Sequence, residues 1–252
     1  MNNIKFFNFQ NIKLIIFFVF LFILSSCKGY LPYYKANNQI KISTIYNNSV
    51  KFARGGFYEQ SIKNLILLNN LYPSSNLIKK SKLTIIFCYY KRLHFDLALF
   101  QIKQLKLTYP KYKKDFILYI TGIIYYDKYT ISYLRNFPIN YIYKDIRFAK
   151  KSFSYFKDLI EKCCYSHYLL NSMQRIIFLK QNMLQYEISK SEYYIKKKAY
   201  LSAINRSNFI IKNYDKNKNL TKVLKILLHA YKKSYLFNLE KEVTIIIKIN
   251  KK

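Results

Sequence analysis

Residues 42–73 constrain the fold most, because two helix-forming runs lie between residues that end helices. The first run reaches Gly55-Gly56, and glycine ends helices readily since it adopts left-handed backbone angles at little cost. The second run ends at Tyr72-Pro73, where proline pushes the residue before it out of the helical region. The stretch therefore predicts two helices, over 42–54 and 58–71. In the second helix, residues at steps of three and four lie on one face: Tyr58, Ser61, Leu65 and Leu68.

The same stretch fits a 34-residue repeat when Pro73 is placed at position 32. Small residues then fall at positions 8 and 20, where paired helices approach closely, and large ones at positions 11, 17 and 24: Ser49, Ser61, Phe52, Tyr58 and Leu65. This is the tetratricopeptide pattern. A second copy ends at Tyr109-Pro110, 37 residues after Tyr72-Pro73. A single repeat cannot bury its own apolar face, so two copies predict more of them.

Three further helix pairs follow with less regular sequences. The third has a first helix over 114–126, with Gly122 at a close contact, then an insertion and a second helix over 145–162. In that second helix Ala149, Ser152, Phe156 and Leu159 keep the repeat spacing, and Cys163-Cys164 stands where the other repeats have Tyr-Pro. The last two pairs are predicted over 168–197 with 200–212, and 220–233 with 239–249.

The predicted fold class is all-α, a superhelical solenoid of about five tetratricopeptide helix pairs over 42–252. Its parts are N-terminal repeats over 42–110, an insertion over 127–144 and C-terminal repeats over 145–252. Only four Gly and four Pro occur in 252 residues, which leaves little room for hairpin turns and favours helices.

The N-terminus has the order of a bacterial lipoprotein signal. Lys5 and Lys13 precede the apolar run Leu14–Leu24, whose eleven residues are too few to span a bilayer comfortably. The run ends in Leu24-Ser25-Ser26-Cys27, which resembles a lipobox. We expect a signal peptide over 1–26, covalent diacylglycerol and N-acyl chains on Cys27, and a lipidated tether over 27–41. The alternative is a simple membrane anchor with an incidental cysteine. Lys28 rather than Asp follows the cysteine, which by the same resemblance predicts the periplasmic face of the outer membrane.

The formal charge of +32 does not by itself indicate a nucleic-acid protein. The basic residues are spread along the chain rather than clustered, which is typical of solvated helix faces. The abundance of Ile, Lys, Asn, Tyr and Phe fits a hypothesis of A+T-rich coding. Neutral drift toward A+T-rich codons raises the number of lysines without any selection for positive charge. We expect no nucleic-acid partner.

No motif indicates catalysis or a cofactor. The sequence has no glycine-rich phosphate loop, no GxSxG and no HExxH, and twelve acids leave little material for acid–base chemistry. His167 beside Cys163-Cys164 falls short of the four converging ligands of a zinc site. We therefore predict a protein that is not an enzyme and that holds no metal and no non-covalent cofactor.

The aromatic residues leave two interpretations open. The 27 Tyr and 20 Phe could line a groove for extended peptide, and Tyr58, Tyr89 and Tyr90 are the candidates in the first two repeats. Alternatively, repeat packing uses these rings at its aromatic positions.

The whole mature chain resembles the BamD family, the tetratricopeptide lipoproteins of the outer-membrane β-barrel assembly (BAM) machine. The resemblance begins with the lipobox cysteine, the Gly-x-Tyr-x-x-Ser-Ile turn at 56–62 and the helix end at Tyr72-Pro73. Its most specific part is a series of identities in the fourth repeat: Arg175, Phe178-Leu179-Lys180, Leu184, Tyr186-Glu187, Ser189, Glu192-Tyr193-Tyr194 and Asn205-Arg206. Cys163-Cys164 and Asp215 depart from the family pattern and predict looser repeat ends.

The resemblance implies a lipid-anchored scaffold with two kinds of partner. The C-terminal repeats would dock on the POTRA region of BamA beside other BAM subunits, with Asn205, Arg206, Glu192 and Tyr193 as candidate contacts. The N-terminal repeats would meet unfolded outer-membrane β-barrel proteins. We expected the planar fork of Arg206 to bind a carboxylate on the partner, because lysine is the commoner cation in this chain.

The alternative interpretation is another outer-membrane tetratricopeptide lipoprotein, such as a pilotin that escorts a secretin ring. A pilotin would keep the lipobox and the repeats but lack the identities between Glu192 and Arg206.

Overall fold

The structure is a computed structural model that describes residues 42–135, 145–214 and 220–249. These residues form ten α-helices without a strand, which we number in chain order: α1 (Ile42–Arg54), α2 (Tyr58–Leu71), α3 (Ile78–Lys91), α4 (Phe95–Thr108), α5 (Lys114–Arg135), α6 (Arg147–Lys162), α7 (Leu169–Lys196), α8 (Tyr200–Asn213), α9 (Leu220–Lys233) and α10 (Phe237–Ile249). The predicted signal peptide, Cys27 and the tether lie outside the described residues.

Helices that follow one another in the chain pack together throughout, from α1 against α2 to α9 against α10. In addition α1 contacts α3 and α7 contacts α9, so the first helices of neighbouring pairs meet. Short links make each helix antiparallel to its neighbours. This arrangement confirms the predicted all-α solenoid of helix pairs.

Small residues lie at the predicted close contacts between helices. Ser49, Ser61, Ala98 and Ala203 are fully buried. At Gly122 the fit is tightest, because a Cβ atom there would lie 2.6 Å from Cε1 of Phe156. The Ser152 hydroxyl donates to the Gly122 carbonyl at 2.9 Å across the same contact. A backbone approach this close explains why α5 carries glycine in its interior despite the helix propensity it costs.

Two predicted helix bounds were wrong. We expected the first helix of the third pair to end at Tyr126 and an insertion to begin at Asp127, but α5 continues to Arg135. Neither Gly nor Pro lies between Asp127 and Arg135 to end it, and Lys128 is held by an ion pair with Asp96 at 2.8 Å. The rest of the predicted insertion, 136–144, lies outside the described residues. The final helix begins at Phe237, two residues before the expected Leu239.

In four of the pairs, a residue with a left-handed backbone conformation follows the first helix. Gly56 has φ +83°, as the predicted glycine stop requires, but Leu93, Lys198 and Tyr235 occupy the same position with φ of 58° to 60°. In each case the next backbone N–H donates to the carbonyl five residues back, for example from His94 to Tyr89 at 3.0 Å. This is the Schellman closure of a helix end.

The second helices also end alike. Tyr72, Tyr109 and Cys163 have φ between −132° and −139°, and each donates its N–H to the carbonyl four residues back at 2.8–3.0 Å. Cys163 therefore closes its helix with the same hydrogen bond as Tyr72 and Tyr109, and Asp215, the other departure from the family pattern, lies outside the described residues.

Candidate groove and docking residues

A groove of about 500 Å³ runs along the first helices of four pairs. Its walls come from α1, α3, the start of α5 and the residues just before α7. Its aromatic and aliphatic lining consists of Tyr46, Val50, Ala53, Leu83, Phe87, Tyr112, Phe116 and Tyr168. The groove exists because antiparallel pairs place all their first helices on one side of the solenoid.

The rim of the groove is basic. Arg54, Lys80 and Lys113 border the aromatic lining, and Asp115 is the only acid among the lining residues of this pocket. The Asp115 carboxylate accepts from the Ser166 hydroxyl at 3.3 Å. Flat rings offer contact area and the rim offers cations, so the groove fits an extended, apolar segment that carries negative charge.

A polar network fixes the helices beside the groove. The Tyr90 hydroxyl of α3 donates to Asp127 of α5 at 2.9 Å, and burial raises the pKa of both groups, most of all that of the Tyr90 phenol. On α7, the Arg175 guanidinium lies 4.3 Å from the Tyr126 ring centre, and its Nε donates to Asn171 at 2.9 Å. Three first helices are thus joined by hydrogen bonds and a cation–π contact.

Aromatic stacking continues the network to the groove. Tyr119 of α5 stacks on Tyr168 with ring centres 4.3 Å apart, and its hydroxyl donates to Asn171 at 3.0 Å. Tyr168 is itself a lining residue. The groove floor near α7 is therefore built from side chains whose positions are already set by protein contacts, which reduces the entropy cost of binding.

The three tyrosines that we predicted for the groove are not among the residues that line it; they pack against other side chains of the solenoid. Tyr58 lies edge-on to Phe87 with ring centres 6.4 Å apart, Tyr89 packs between the clusters around Ile86 and Cys88, and Tyr90 is bonded to Asp127. All three are half-buried. Tyr58 and Tyr90 lie at the ends of their helices, where rings fill the space between repeats. The groove itself uses other rings.

The structure gives Arg206 a partner within the chain. Its Nη1 lies 3.1 Å from Oε2 of Glu187, whose side chain is only 4% exposed, while that of Arg206 is 44% exposed. We expected a carboxylate on a partner, but the carboxylate that the Arg206 guanidinium binds in this structure belongs to α7 of the same chain. Any contact of Arg206 with another protein must use the exposed part of the guanidinium.

The other predicted docking residues lie on the same two helices. Glu192 pairs with Lys222 of α9 at 2.8 Å, and Tyr193 lies edge-on to Tyr194. Asn205 is exposed on α8. Among the described residues no hydrogen bond or ion pair joins Arg206 to Glu192, so these side chains are separate points on the surface rather than one bonded cluster.

Glu187 is the functional candidate that we missed. It follows Leu184 by three residues and precedes Ile188, so it lies on the buried stripe of α7, and a buried carboxylate requires a paired cation. This spacing could have pointed to an internal partner for Arg206.

The cysteines of the described region are free thiols. Cys88 is buried, its Sγ donates to the Ser61 hydroxyl at 3.6 Å, and burial raises its thiol pKa. Within the same region no group of three potential metal ligands converges, and no helix combines the length and apolar character needed to cross a bilayer.

Ten paired helices with an aromatic groove along one side define a binding scaffold of the tetratricopeptide type. A family model described as "YfiO: Outer membrane lipoprotein" matches residues 38–244, and the chain belongs to this family.

Several relatives carry the name outer membrane protein assembly factor BamD. That of Buchnera aphidicola subsp. Acyrthosiphon pisum is 26% identical over 238 residues, which cover 94% of this chain and 97% of that protein. The Vibrio cholerae protein is 26% identical, covering 75% of this chain and 79% of its own. The Neisseria gonorrhoeae protein is 27% identical, covering 70% and 66%. The resemblance to the BamD family is confirmed.

Proposed function

We propose that this chain is an outer membrane protein assembly factor, a non-catalytic scaffold held at the periplasmic face of the outer membrane by lipid on Cys27. The family match over 38–244 carries the proposal, because it spans nearly all of the solenoid. The lipobox supports the anchor. Two or three acyl chains would hold the protein firmly, since each buried methylene contributes about 0.8 kcal/mol.

The groove supports a role in holding unfolded barrel proteins. Strands of a membrane barrel alternate apolar and polar residues and end in aromatic girdles. An extended segment of this kind presents rings to Phe87, Phe116 and Tyr168 and carboxylates to the basic rim. We expect weak binding, because ordering a flexible chain offsets much of the contact energy.

The C-terminal repeats are the proposed docking region for the POTRA region of BamA. Asn205 and the exposed part of Arg206 lie on α8, and Glu192 and Tyr193 lie near the end of α7. The groove lining ends at Tyr168, whereas the proposed docking residues begin at Glu192, so the two proposed sites share no residue.

Co-purification of the lipidated protein from native membranes tests the proposal. BamA and unfolded barrel proteins should be recovered with the wild-type chain, and Cys27→Ser should leave uncleaved precursor that radioactive palmitate does not label. Recovery of a secretin instead of BamA would overturn the proposed partners, and equal labelling of Cys27→Ser would overturn the anchor.

A further inference from the structure

A dense group of lysines lies beside one end of the groove. Six of the eight residues at 79–82 and 111–114 are lysines, which we call the lysine cluster: Lys79, Lys80 and Lys82 at the start of α3, and Lys111, Lys113 and Lys114 just before and at the start of α5. Five of these side chains are exposed, and that of Lys82 is half-buried.

Two tyrosine rings join the two halves of the lysine cluster. Nζ of Lys79 lies 4.9 Å from the ring centre of Tyr109 and 5.9 Å from that of Tyr112. Nζ of Lys82 lies 5.6 Å from the ring centre of Tyr109. Cation–π contacts of this kind position ammonium groups without neutralising them. The start of α3 and the link before α5 therefore present their cations as one patch.

No carboxylate of the described residues neutralises this patch. None of the six lysines forms an ion pair within the part of the chain that the structure describes. The sequence has no acid between Glu59 and Asp96, or between Asp96 and Asp115. Glu59 is already paired with Arg92 at 3.3 Å, and Asp96 with Lys128 at 2.8 Å. The positive charge of the lysine cluster is thus available to a ligand.

The positions of these lysines do not stabilise the helices. The N-terminus of a helix carries partial positive charge, so acids in the first turn are stabilising and cations are not. Helix α3 has Lys79 and Lys80 in its first turn and no acid there. Lys113 has φ +44°, a left-handed conformation that a residue with a side chain adopts at an energetic cost. The helix ends therefore give no structural reason for the concentration of charge.

Contact with the groove distinguishes the lysine cluster from the other unpaired lysines of the chain. Lys80, Lys113 and the Tyr112 ring are also lining residues of the groove, so a polypeptide in the groove reaches the cluster directly. Residues 196–198 and 232–233 are exposed lysines without an ion pair among the described residues, but none of them lines the groove.

The other end of the groove carries less free charge. Phe87 follows Lys80 by seven residues, about 10 Å along α3. There Arg54 lines the groove, and Nζ of Lys91 lies 5.6 Å from the Phe87 ring centre. Positive charge is thus concentrated at the end where α3 and α5 begin.

We propose that the lysine cluster is a second binding subsite, which takes an acidic stretch of the same polypeptide whose aromatic stretch lies in the groove. The proposal rests on the proposed function of the groove. Six ammonium groups spread over two segments fit several carboxylates along an extended chain, whose side chains on one side recur about every 7 Å, better than they fit one compact phosphate. Acidic residues next to the aromatic stretch then select cargo and set the direction in which it lies.

Fluorescence anisotropy with two labelled peptides tests the subsite on the full-length protein in detergent. Both peptides alternate aromatic and uncharged polar residues, and one ends in four Glu where the other ends in four Gln. We expect the Glu-tailed peptide to bind about tenfold more tightly at low salt, and the difference to shrink as salt is added.

Two variants that each remove four charges locate the effect. The first replaces four residues of the lysine cluster, and we expect it to lose most of the preference for the Glu tail while it binds the Gln-tailed peptide as before: Lys79→Gln, Lys82→Gln, Lys111→Gln and Lys114→Gln. The matched control replaces four exposed, unpaired lysines outside the groove and should keep the preference: Lys196→Gln, Lys197→Gln, Lys232→Gln and Lys233→Gln.

Carbodiimide crosslinking, which joins a carboxylate to a lysine amine with loss of water, shows where the tail lies. We expect mass spectrometry to find links to Lys79, Lys111 and Lys114. Links spread equally over 196–198 and 232–233 would overturn the subsite.

The remaining outcomes separate this proposal from the proposed function. Equal affinity for the two peptides, or an equal loss of preference in the control variant, overturns the subsite and leaves the groove as a peptide site. Failure of both peptides to bind overturns the groove as well. Displacement of the Glu-tailed peptide by inorganic phosphate at constant ionic strength would show a phosphate site and overturn the choice of a polypeptide ligand.

Discussion

The Glu187 carboxylate lies in the interior between α7 and α8 and has Arg206 as its ion-pair partner at 3.1 Å, while the other side of Arg206 faces solvent. One guanidinium therefore stabilises the fold and is also available to a partner. The two roles must be separated before a variant of Arg206 is used to map docking.

Arg206→Met should lower the free energy of unfolding by about 2 kcal/mol, because it leaves Glu187 buried without its cation. In the background of Glu187→Gln the same change should cost much less. Chemical denaturation of the two single variants and the double variant measures the coupling. Equal effects of Arg206→Met in both backgrounds would mean that the ion pair contributes nothing.

The double variant then tests docking. If Arg206 binds BamA, the folded Glu187→Gln, Arg206→Met protein should bind the isolated POTRA region more weakly than Glu187→Gln alone does. Arg206→Glu is unsuitable for this test, because with Glu187 facing it that variant places two carboxylates together and should destabilise α8 against α7.

Gly122→Ala should destabilise the protein by about 1–3 kcal/mol, since its Cβ would lie 2.6 Å from the Phe156 ring. Phe156→Leu should partly rescue Gly122→Ala by making room. Gly55→Ala is the control, because its Cβ would lie 3.2 Å from the exposed Phe57 side chain and 3.4 Å from the Lys51 carbonyl oxygen, which is less tight than the contact at Gly122. Thermal unfolding is compared for the wild type, Gly122→Ala, Gly122→Ala with Phe156→Leu, and Gly55→Ala. An unchanged melting temperature for Gly122→Ala would show that α5 and α6 can move apart at no energetic cost.

Lys198→Gly should stabilise the isolated protein by about 1 kcal/mol, because Lys198 has φ +58° and glycine removes the strain of that conformation. Lys197→Gly is its matched control. Lys197 has φ −83°, so glycine there relieves no strain and adds flexibility to the unfolded chain. A decrease in melting temperature for both variants would contradict the prediction.

Burial of Asp127 should make stability depend on pH, although the hydrogen bond from Tyr90 lowers the pKa of this carboxyl and partly offsets the effect of burial. Burial raises the folded-state pKa of Asp127 above its ordinary value of 3.8, so its contribution to stability is complete below that value and is lost as pH rises through the folded-state pKa. Asp127→Asn should therefore gain stability relative to wild type at neutral pH, and the difference should vanish in acid. Denaturation at several pH values measures it.

Tyr90→Phe is a complementary change with the opposite sign. It removes the donor from a half-buried carboxylate and should cost about 1–2 kcal/mol at neutral pH. Tyr89→Phe, one residue away, alters no hydrogen bond of the described residues and should be nearly neutral.

Reversing the charge of the groove rim should weaken peptide binding. Lys80→Glu with Lys113→Glu should reduce affinity for an extended peptide that ends in an aromatic residue and a free carboxylate by about tenfold, since like charges then face each other. Lys103→Glu with Lys150→Glu, both exposed and outside the groove lining, changes the net charge by the same amount and is the control. Fluorescence anisotropy of a labelled peptide measures the affinity of the groove variant and of the control. A scrambled peptide that binds equally well would indicate non-specific binding.

The helix pairs could be predicted because their signals are local. Gly56 and Pro73 end helices by backbone geometry alone, and Ser61 and Leu65 mark a face by their spacing. Leu93, Lys198 and Tyr235 escaped prediction, because a left-handed closure by a side-chain-bearing residue depends on the packing of both flanking helices.

The groove was harder to predict for a geometric reason. Tyr46, Phe87 and Phe116 belong to three different repeats and meet only when the first helices align on one side, whereas the tyrosines that we chose fill the spaces between repeats. The partner of Arg206 was missed because we considered only external carboxylates, although the spacing of Glu187 from Leu184 indicated burial.

The length of α7 places the network beside the groove and the residues proposed for docking at opposite ends of one helix. Its 28 residues span about 42 Å, with Arg175 in the network beside the groove near one end and Glu192 among the docking residues near the other. A tilt of about 5° at one end of such a rod displaces the far end by about 4 Å. If cargo in the proposed groove shifts Arg175 and α7 stays rigid, the same tilt would reach Glu192 at the surface proposed for docking.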